Sequence, residues 1–169
     1  EILEEKVREG VEVRVMYDGM CCLMLLPYSY PKTLREKGIK CKMFSPIRPA
    51  LSTHQNNRDH RKICVIDGHT AFTGGVNLAD EYINRKVRFG HWKDTAVMVE
   101  GDAAVGFTMM FLQMWGVTEQ EKERYESYLK PADYRLPKDA DASGFVIPYG
   151  DSPLDKENVR SEEHTSELQ

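Results

Sequence analysis

The sequence predicts an α/β fold, a mixed β-sheet flanked by helices. Short runs such as VEVRVMYD and IKCKMF alternate apolar and polar residues at the period of strands. Between them lie helical segments bounded by Pro and Gly, the usual helix start and stop residues. The 169 residues, 41% hydrophobic and 30% charged, fit a soluble globular chain with room for one domain with a real core, or one and part of another.

Residues 1–9 (EILEEKVRE) form the tail of an amphipathic helix, and Gly10 stops it. Residues 11–17 alternate as a strand before Asp18-Gly19. A helix over 31–37 is opened by Pro31 and closed by Gly38. IKCKMF (39–44) is a second strand, and SPIRPALSTHQNN is a loop. RKICVI (61–66) is a third strand, apolar on both faces after Lys62 and therefore expected at the centre of a sheet. Asp67-Gly68 is a two-residue hairpin signal, HTAFT (69–73) the return strand, and Gly74-Gly75 its end. TAVMVEG (95–101) is another strand. Residues 102–116 have helical spacing, with Phe107, Met110, Phe111, Met114 and Trp115 on a core-facing stripe. TEQEKERYESYLK is a charged, solvated helix, 131–145 a linker, and GFVIPYG a strand that restarts after it.

The bulk numbers exclude several classes. A net charge of −4 gives no global sign of a nucleic-acid binder. No apolar run approaches the ~20 residues of a membrane helix, and no signal peptide is visible, although the chain begins at Glu1 rather than Met. Cys21, Cys22, Cys41 and Cys64 contain no CxxC pair and read as buried small hydrophobes of a reducing compartment, not as a zinc site. The last ten residues, RSEEHTSELQ, resemble a translated sequencing adapter and are set apart from the fold, which puts the end of the natural sequence near Val159.

The chemistry gathers at the mouth of the third strand, in NNRDHRKICVIDG. His60 and Lys62 are two apart on extended chain, so they share a face, roughly 6–7 Å apart. Gly74 and Gly75 lack side-chain bulk, which lets backbone N–H groups approach an anion, and Asn77 adds an amide donor. An imidazole, a cation, an amide and exposed N–H groups make a phosphate site with a nucleophile in it. No metal-ligand cluster is visible, no cofactor is implied, and Lys62 supplies the charge a metal would give. His91-Trp92-Lys93 repeats the spacing, but Met98 stands where an Asp is needed, and no Gly-Gly-x-Asn follows. The full pattern, H-x-K-x4-D and then GG-x-N, occurs once.

That pattern resembles the HKD motif of the phospholipase D superfamily, with HRKICVID as its core and GGVN as its companion. The neighbouring stretches GVEVRVMYDG, GIKCKMFSPIRP, FGHWKDTAVMVEG and VIPYGDSPLD are similar to those of bacterial cardiolipin synthases. The resemblance covers about residues 1–159 and implies a phospholipase D-like half-domain over 1–118, lacking its start. A charged helix and linker would follow over 119–145, the start of a second, truncated HKD domain over 146–159, and the adapter-derived tail over 160–169. It implies a phosphatidyltransferase that moves a phosphatidyl group between two phosphatidylglycerol molecules through a phosphohistidine. The missing second HKD half, or a homodimer partner, would complete the site. An in-line displacement needs groups on both sides of phosphorus, so a second imidazole must protonate the leaving alcohol. The expected place of action is the bacterial cell membrane, with the catalytic domain on its cytoplasmic side and no nucleic acid bound.

Within that resemblance His60 is the nucleophile, and Lys62, Gly74, Gly75, Asn77 and Arg58 hold the phosphate. Asp94 orients the His60 imidazole through its second nitrogen. Asp67 is counted with the motif, with turn-capping or pairing to a cation as its expected part. Arg58 grips phosphate or pairs with Asp59. Trp92 is an aromatic anchor or lines a lipid channel. His54 and His69 are loop or turn residues, and Tyr28 and Tyr30 are core residues before they are membrane contacts. Two other readings stand beside this one: a homodimeric single-HKD phosphodiesterase or nuclease, and a catalytically inert half-domain that binds phosphate.

Overall fold

The computed structural model describes residues 1–22, 25–45, 59–88, 90–117, 124–129 and 145–150. The chain divides into two compact units, Glu1–Arg61 and Lys62–Gln169. Both kinds of strand pairing expected of a mixed α/β fold are present, parallel in a two-stranded sheet and antiparallel in a three-stranded one.

The first unit runs α1 (Ile2–Arg8), β1 (Arg14–Asp18), α2 (Tyr30–Glu36) and β2 (Lys40–Phe44). Gly10 and Gly38 follow the two helices at φ 91 and φ 79, the left-handed turn that stops a helix. β1 and β2 pair in parallel from Arg14 opposite Lys40 to Asp18 opposite Phe44, with α2 in the crossover. Arg14 and Lys40 are like charges set side by side, and Glu12 resolves the conflict. Its carboxylate accepts from Arg14 Nε at 2.7 Å and Lys40 Nζ at 2.8 Å. Partial burial opposes ionisation of Glu12, yet those two cations hold its carboxyl below the usual range. Ile39 and Cys41 are buried, and burial pushes the Cys41 thiol up.

The second unit runs β3 (Ile63–Ile66), β4 (Thr70–Gly74), β5 (Ala96–Glu100) and α3 (Ala103–Gly116). The strand order is β3-β4-β5, so β4 is central. The expectation that RKICVI lies in the middle is corrected: β3 pairs with β4 alone among the described residues, and Cys64 and Ile66 are exposed. Ala71, Ala104 and Phe107 form the core, with Ile63, Val65, Val99 and Met110 packed around them. Thus α3 packs on the sheet face that carries Ile63, Val65, Ala71 and Val99. The core stripe is placed differently from the sequence reading. Ala104, Phe107, Thr108, Leu112 and Trp115 are the buried residues of α3, while Met110, Phe111 and Met114 are half-buried.

Four further expectations change. Residues 124–129 make a turn, with Tyr128 N–H bonded to Tyr125 O, not a piece of helix. The hairpin turn of the second unit approaches this segment closely, since a Cβ on Gly68 would lie 2.8 Å from the backbone oxygen of Tyr128. Residues 145–150 carry no strand pairing. Pro148 removes a ladder donor there, and its ring packs where Gly106 of α3 leaves space. Of the cysteines only Cys41 is buried; Cys22 is half-buried, and Cys21 and Cys64 are exposed. Tyr28 is exposed rather than core, whereas Tyr30 meets Tyr17 edge-on with ring centroids 6.1 Å apart. The 46–57 loop, the 131–144 part of the linker and the tail from 151 onward lie outside the described residues, and so do His54 and Arg58.

Candidate active site

One end of the three-stranded sheet collects most of the chemistry in the second unit. Ile63 faces Thr73, which faces Val97, and the next step pairs Gly74 with Ala96. Gly75 N–H then donates to Thr95 O at 3.2 Å. Lys62 directly precedes Ile63, so chain order brings it to the same end as Gly74, Gly75 and Asp94. Lys62 is half-buried, as is Asn77 two residues past Gly75.

The glycine doublet is fitted to its surroundings, and each glycine for a different reason. A Cβ on Gly74 would overlap Thr95 O and come within 2.8 Å of Ala96 Cα, so the backbone of β5 forbids a side chain. A Cβ on Gly75 would overlap the Asp94 carboxylate, with Cγ at 3.1 Å and Oδ2 at 3.2 Å. Asp94 itself is exposed, and its Oδ1 accepts the Thr95 N–H at 2.7 Å. The carboxylate therefore rests against bare backbone, held by the amide that follows it.

Asp67 is not part of this gathering. It sits in the hairpin turn at the far end of β3, roughly 16 Å from Lys62 at ~3.3 Å per residue. Asp67 and Gly68 take φ 52 and 71, and His69 N–H closes the turn on Ile66 O at 3.2 Å. Strand pairing resumes at Thr70, one residue later than a bare two-residue hairpin would allow. His69 is a turn residue, its Nδ1 2.7 Å from Thr70 Oγ1.

His60 belongs to the first unit and is exposed. Its neighbours are pinned twice. Asp59 N–H donates to Asp18 Oδ2 at 3.2 Å. The Asp59 carboxylate in turn takes a two-pronged hold from Arg61, Nε to Oδ1 at 2.8 Å and NH2 to Oδ2 at 3.2 Å. The pair spans His60 from 59 to 61 and fixes the backbone that carries the imidazole. Asp18 is buried at the end of β1, and its Oδ1 also accepts the N–H groups of Met20 and Cys21, each at 2.9 Å. Sequence reasoning missed both Asp18 and Arg61. In the sequence the Asp-Gly pair at 18–19 marks only the end of a strand, and Arg61 stands close to the more conspicuous Arg58.

The His91-Trp92-Lys93 stretch is built for another purpose. Asn84, at φ 57, gives its Nδ2 to Trp92 O at 2.9 Å and takes Trp92 N–H on Oδ1 at 2.8 Å. Tyr82 packs on the Trp92 ring at 4.7 Å between centroids. The half-buried Trp92 thus anchors a loop, and its Nε1 is buried without a partner among the described residues. Among the described residues no group of three or more His, Cys, Asp or Glu gathers in a way that could hold a metal ion.

A family model described as "Cardiolipin synthase, PLD-like domain" matches residues 1–115. The chain belongs to that family. His60, Lys62, Asp67, Gly74, Gly75, Asn77 and Asp94 all fall within the matched stretch of this PLD-like domain. A Streptococcus mutans protein named "Uncharacterized protein" is 58% identical over 158 residues, covering 94% of this chain and 33% of that protein. "Cardiolipin synthase" of Alkalihalophilus pseudofirmus is 41% identical over 133 residues, 78% of this chain and 26% of the relative. "Cardiolipin synthase" of Geobacillus kaustophilus is 41% identical over 131 residues, 77% and 26%. The PLD-like domain chain thus spans a quarter to a third of the length of these relatives. No solved structure matches it. No helix among the described residues is long and apolar enough to cross a membrane.

Proposed function

We propose that this chain supplies one half of a phosphatidyl-transfer site working through a covalent phosphohistidine on His60, within a cardiolipin synthase. The His60 ring nitrogen attacks the phosphorus of one phosphatidylglycerol. The bond from phosphorus to the headgroup glycerol breaks, and a second imidazole outside this chain gives the departing oxygen its proton. The free hydroxyl of another phosphatidylglycerol then attacks the phosphohistidine, yields its proton to that same base and releases His60, leaving cardiolipin and glycerol. Lys62, Asn77 and the Gly74-Gly75 backbone meet the charge that builds on the equatorial oxygens, with Arg58 as a further phosphate contact. Asp94 holds the imidazole in the tautomer that leaves the attacking nitrogen bare. Water must be kept from the intermediate, or transfer becomes hydrolysis.

One observation carries this reading in a chain of this family. The glycine doublet and the Asp94 carboxylate meet at the sheet end where β3 begins, and Lys62 directly precedes that strand, two residues after His60. Asp67, at the other end of β3, acts in the turn rather than on phosphorus. The substrate is a bilayer lipid, so the site works at the bacterial membrane. We place it on the cytoplasmic side, the compartment in which four free thiols persist.

The test uses the protein extended to the length of its relatives. It is expected to convert phosphatidylglycerol to cardiolipin and glycerol, and His60→Ala is expected to abolish both turnover and the acid-labile, base-stable phosphoryl adduct trapped by rapid quenching. Near-normal cardiolipin formation by His60→Ala would refute the assignment.

A further inference from the structure

Between Asn77 and Asp94 the chain leaves the sheet in a long loop with an unusual surface. Leu78 is 105% exposed, Val87 82% and Ile83 53%. Interleaved with them are Arg85, Lys86 and Lys93, all exposed. The acidic residues of the same loop are Asp80 and Glu81, and Glu81 is taken up by Arg88 at 3.2 Å. The loop is therefore cationic in a chain whose net charge is −4.

Its exposed apolar groups are held out by built structure. Arg85 N–H and Lys86 N–H both donate to Asp80 O, at 2.9 and 3.3 Å, and Tyr82 N–H to Ala79 O at 3.1 Å. Asn84 and Trp92 tie the middle of the loop to its later part by two reciprocal hydrogen bonds. A single exposed Leu or Val is ordinary on a protein surface. Three of them among cations, on a pinned loop, is a combination with a chemical match.

We propose that this loop is a docking surface for an anionic phospholipid bilayer. The aliphatic side chains enter the boundary between headgroups and acyl chains, while Arg85, Lys86 and Lys93 meet the lipid phosphates. A nucleic acid would satisfy the cations alone. Leu, Ile and Val offer no flat face on which a base could stack, whereas a lipid surface uses both kinds of group. The proposal does not depend on the chemistry at His60, because binding to vesicles requires no turnover.

The test is co-sedimentation of the full chain with vesicles of mixed phosphatidylglycerol and phosphatidylcholine, with pure phosphatidylcholine vesicles and duplex DNA as parallel arms. Binding is expected to the mixed vesicles, and to weaken as salt rises. Each cation removed should cost about fivefold in partitioning, so Arg85→Gln with Lys86→Gln should lose roughly 25-fold. Leu78→Ser with Val87→Ser should lose about tenfold or more, without the salt dependence changing. Neither pair takes packing from the core, and circular dichroism checks that the fold is kept; should one pair unfold the chain, the other decides alone. Binding to phosphatidylcholine as strong as to the mixed vesicles would overturn the proposal. So would a folded pair variant that binds like the parent, or DNA binding indifferent to Leu78 and Val87.

Discussion

The glycine doublet allows two neighbouring substitutions to be predicted with opposite consequences. At Gly74 the obstacles to a methyl group are Thr95 O and Ala96 Cα, both backbone of β5. Backbone in a ladder cannot retreat cheaply, so Gly74→Ala should cost about 1–3 kcal/mol. That is roughly 3–10 °C in Tm for a chain of this size. At Gly75 the obstacle is the Asp94 carboxylate, the tip of an exposed side chain. It swings away, and stability should change by no more than about 0.5 kcal/mol. To regain ordinary contact the carboxylate has to retreat by about 1 Å, and a displacement of that size in a positioning group costs on the order of 100-fold in rate. Gly75→Ala should thus melt like the parent, yet lose about 100-fold in kcat for phosphatidyl transfer in the protein completed to the length of its relatives. In an Asp94→Asn background the same alanine should add little, because the group it displaces has already lost its charge. A Gly75→Ala protein that melts as early as Gly74→Ala, or turns over normally, would refute the reasoning.

Other outcomes follow from groups away from the glycines. Asp18→Ala leaves three backbone N–H groups without their acceptor and should cost roughly 2–4 kcal/mol in urea denaturation; Asp18→Asn, which keeps one acceptor oxygen, should lose less. Burial opposes ionisation of Glu12, yet Lys40 and Arg14 hold its carboxyl below the ordinary glutamate value. Its contribution is then present above the ordinary glutamate value and lost as pH falls through the lower folded one, so Glu12→Gln should flatten the acid limb of a stability–pH curve. Iodoacetamide near neutral pH should label the exposed Cys21 and Cys64 well before Cys41, whose thiol is buried and pushed up; Cys41 should react only once denaturant opens the first unit, as mass spectrometry would record.

What the sequence made legible is what local chemistry decides. Pro31 and Gly38 bracket α2 because one presets the first turn and the other accepts positive φ. The alternation of β1 and β2 follows from the period of two, and α3 from a run of apolar residues at helical spacing. What stayed hidden depends on partners far along the chain. Alternation says which residues share a face but not which strand lies beside which. RKICVI therefore read as central, while the ladder gives that position to β4. GFVIPYG read as a strand from composition, but composition supplies no partner for its N–H groups, and Pro148 is spent against Gly106 of α3.

The two Asp-Gly pairs show where that limit falls at the site itself. Asp18-Gly19 and Asp67-Gly68 are the same dipeptide, and each closes a run that reads as a strand. At 67–68 the turn accounts for the local conformation: both residues take positive φ, and the closing hydrogen bond is local. At 18 the aspartate is buried, and one of its oxygens holds the N–H of Asp59, 41 residues away. No propensity encodes that bond, since its two ends are far apart in sequence and only the fold of the first unit brings them together. Yet it fixes the residue next to His60, and Arg61 closes the other side by gripping Asp59. The motif residues could be found by spacing because their chemistry demands those types in that order. The residues that hold them in place carry no such signature, because any acceptor delivered there by the fold would serve.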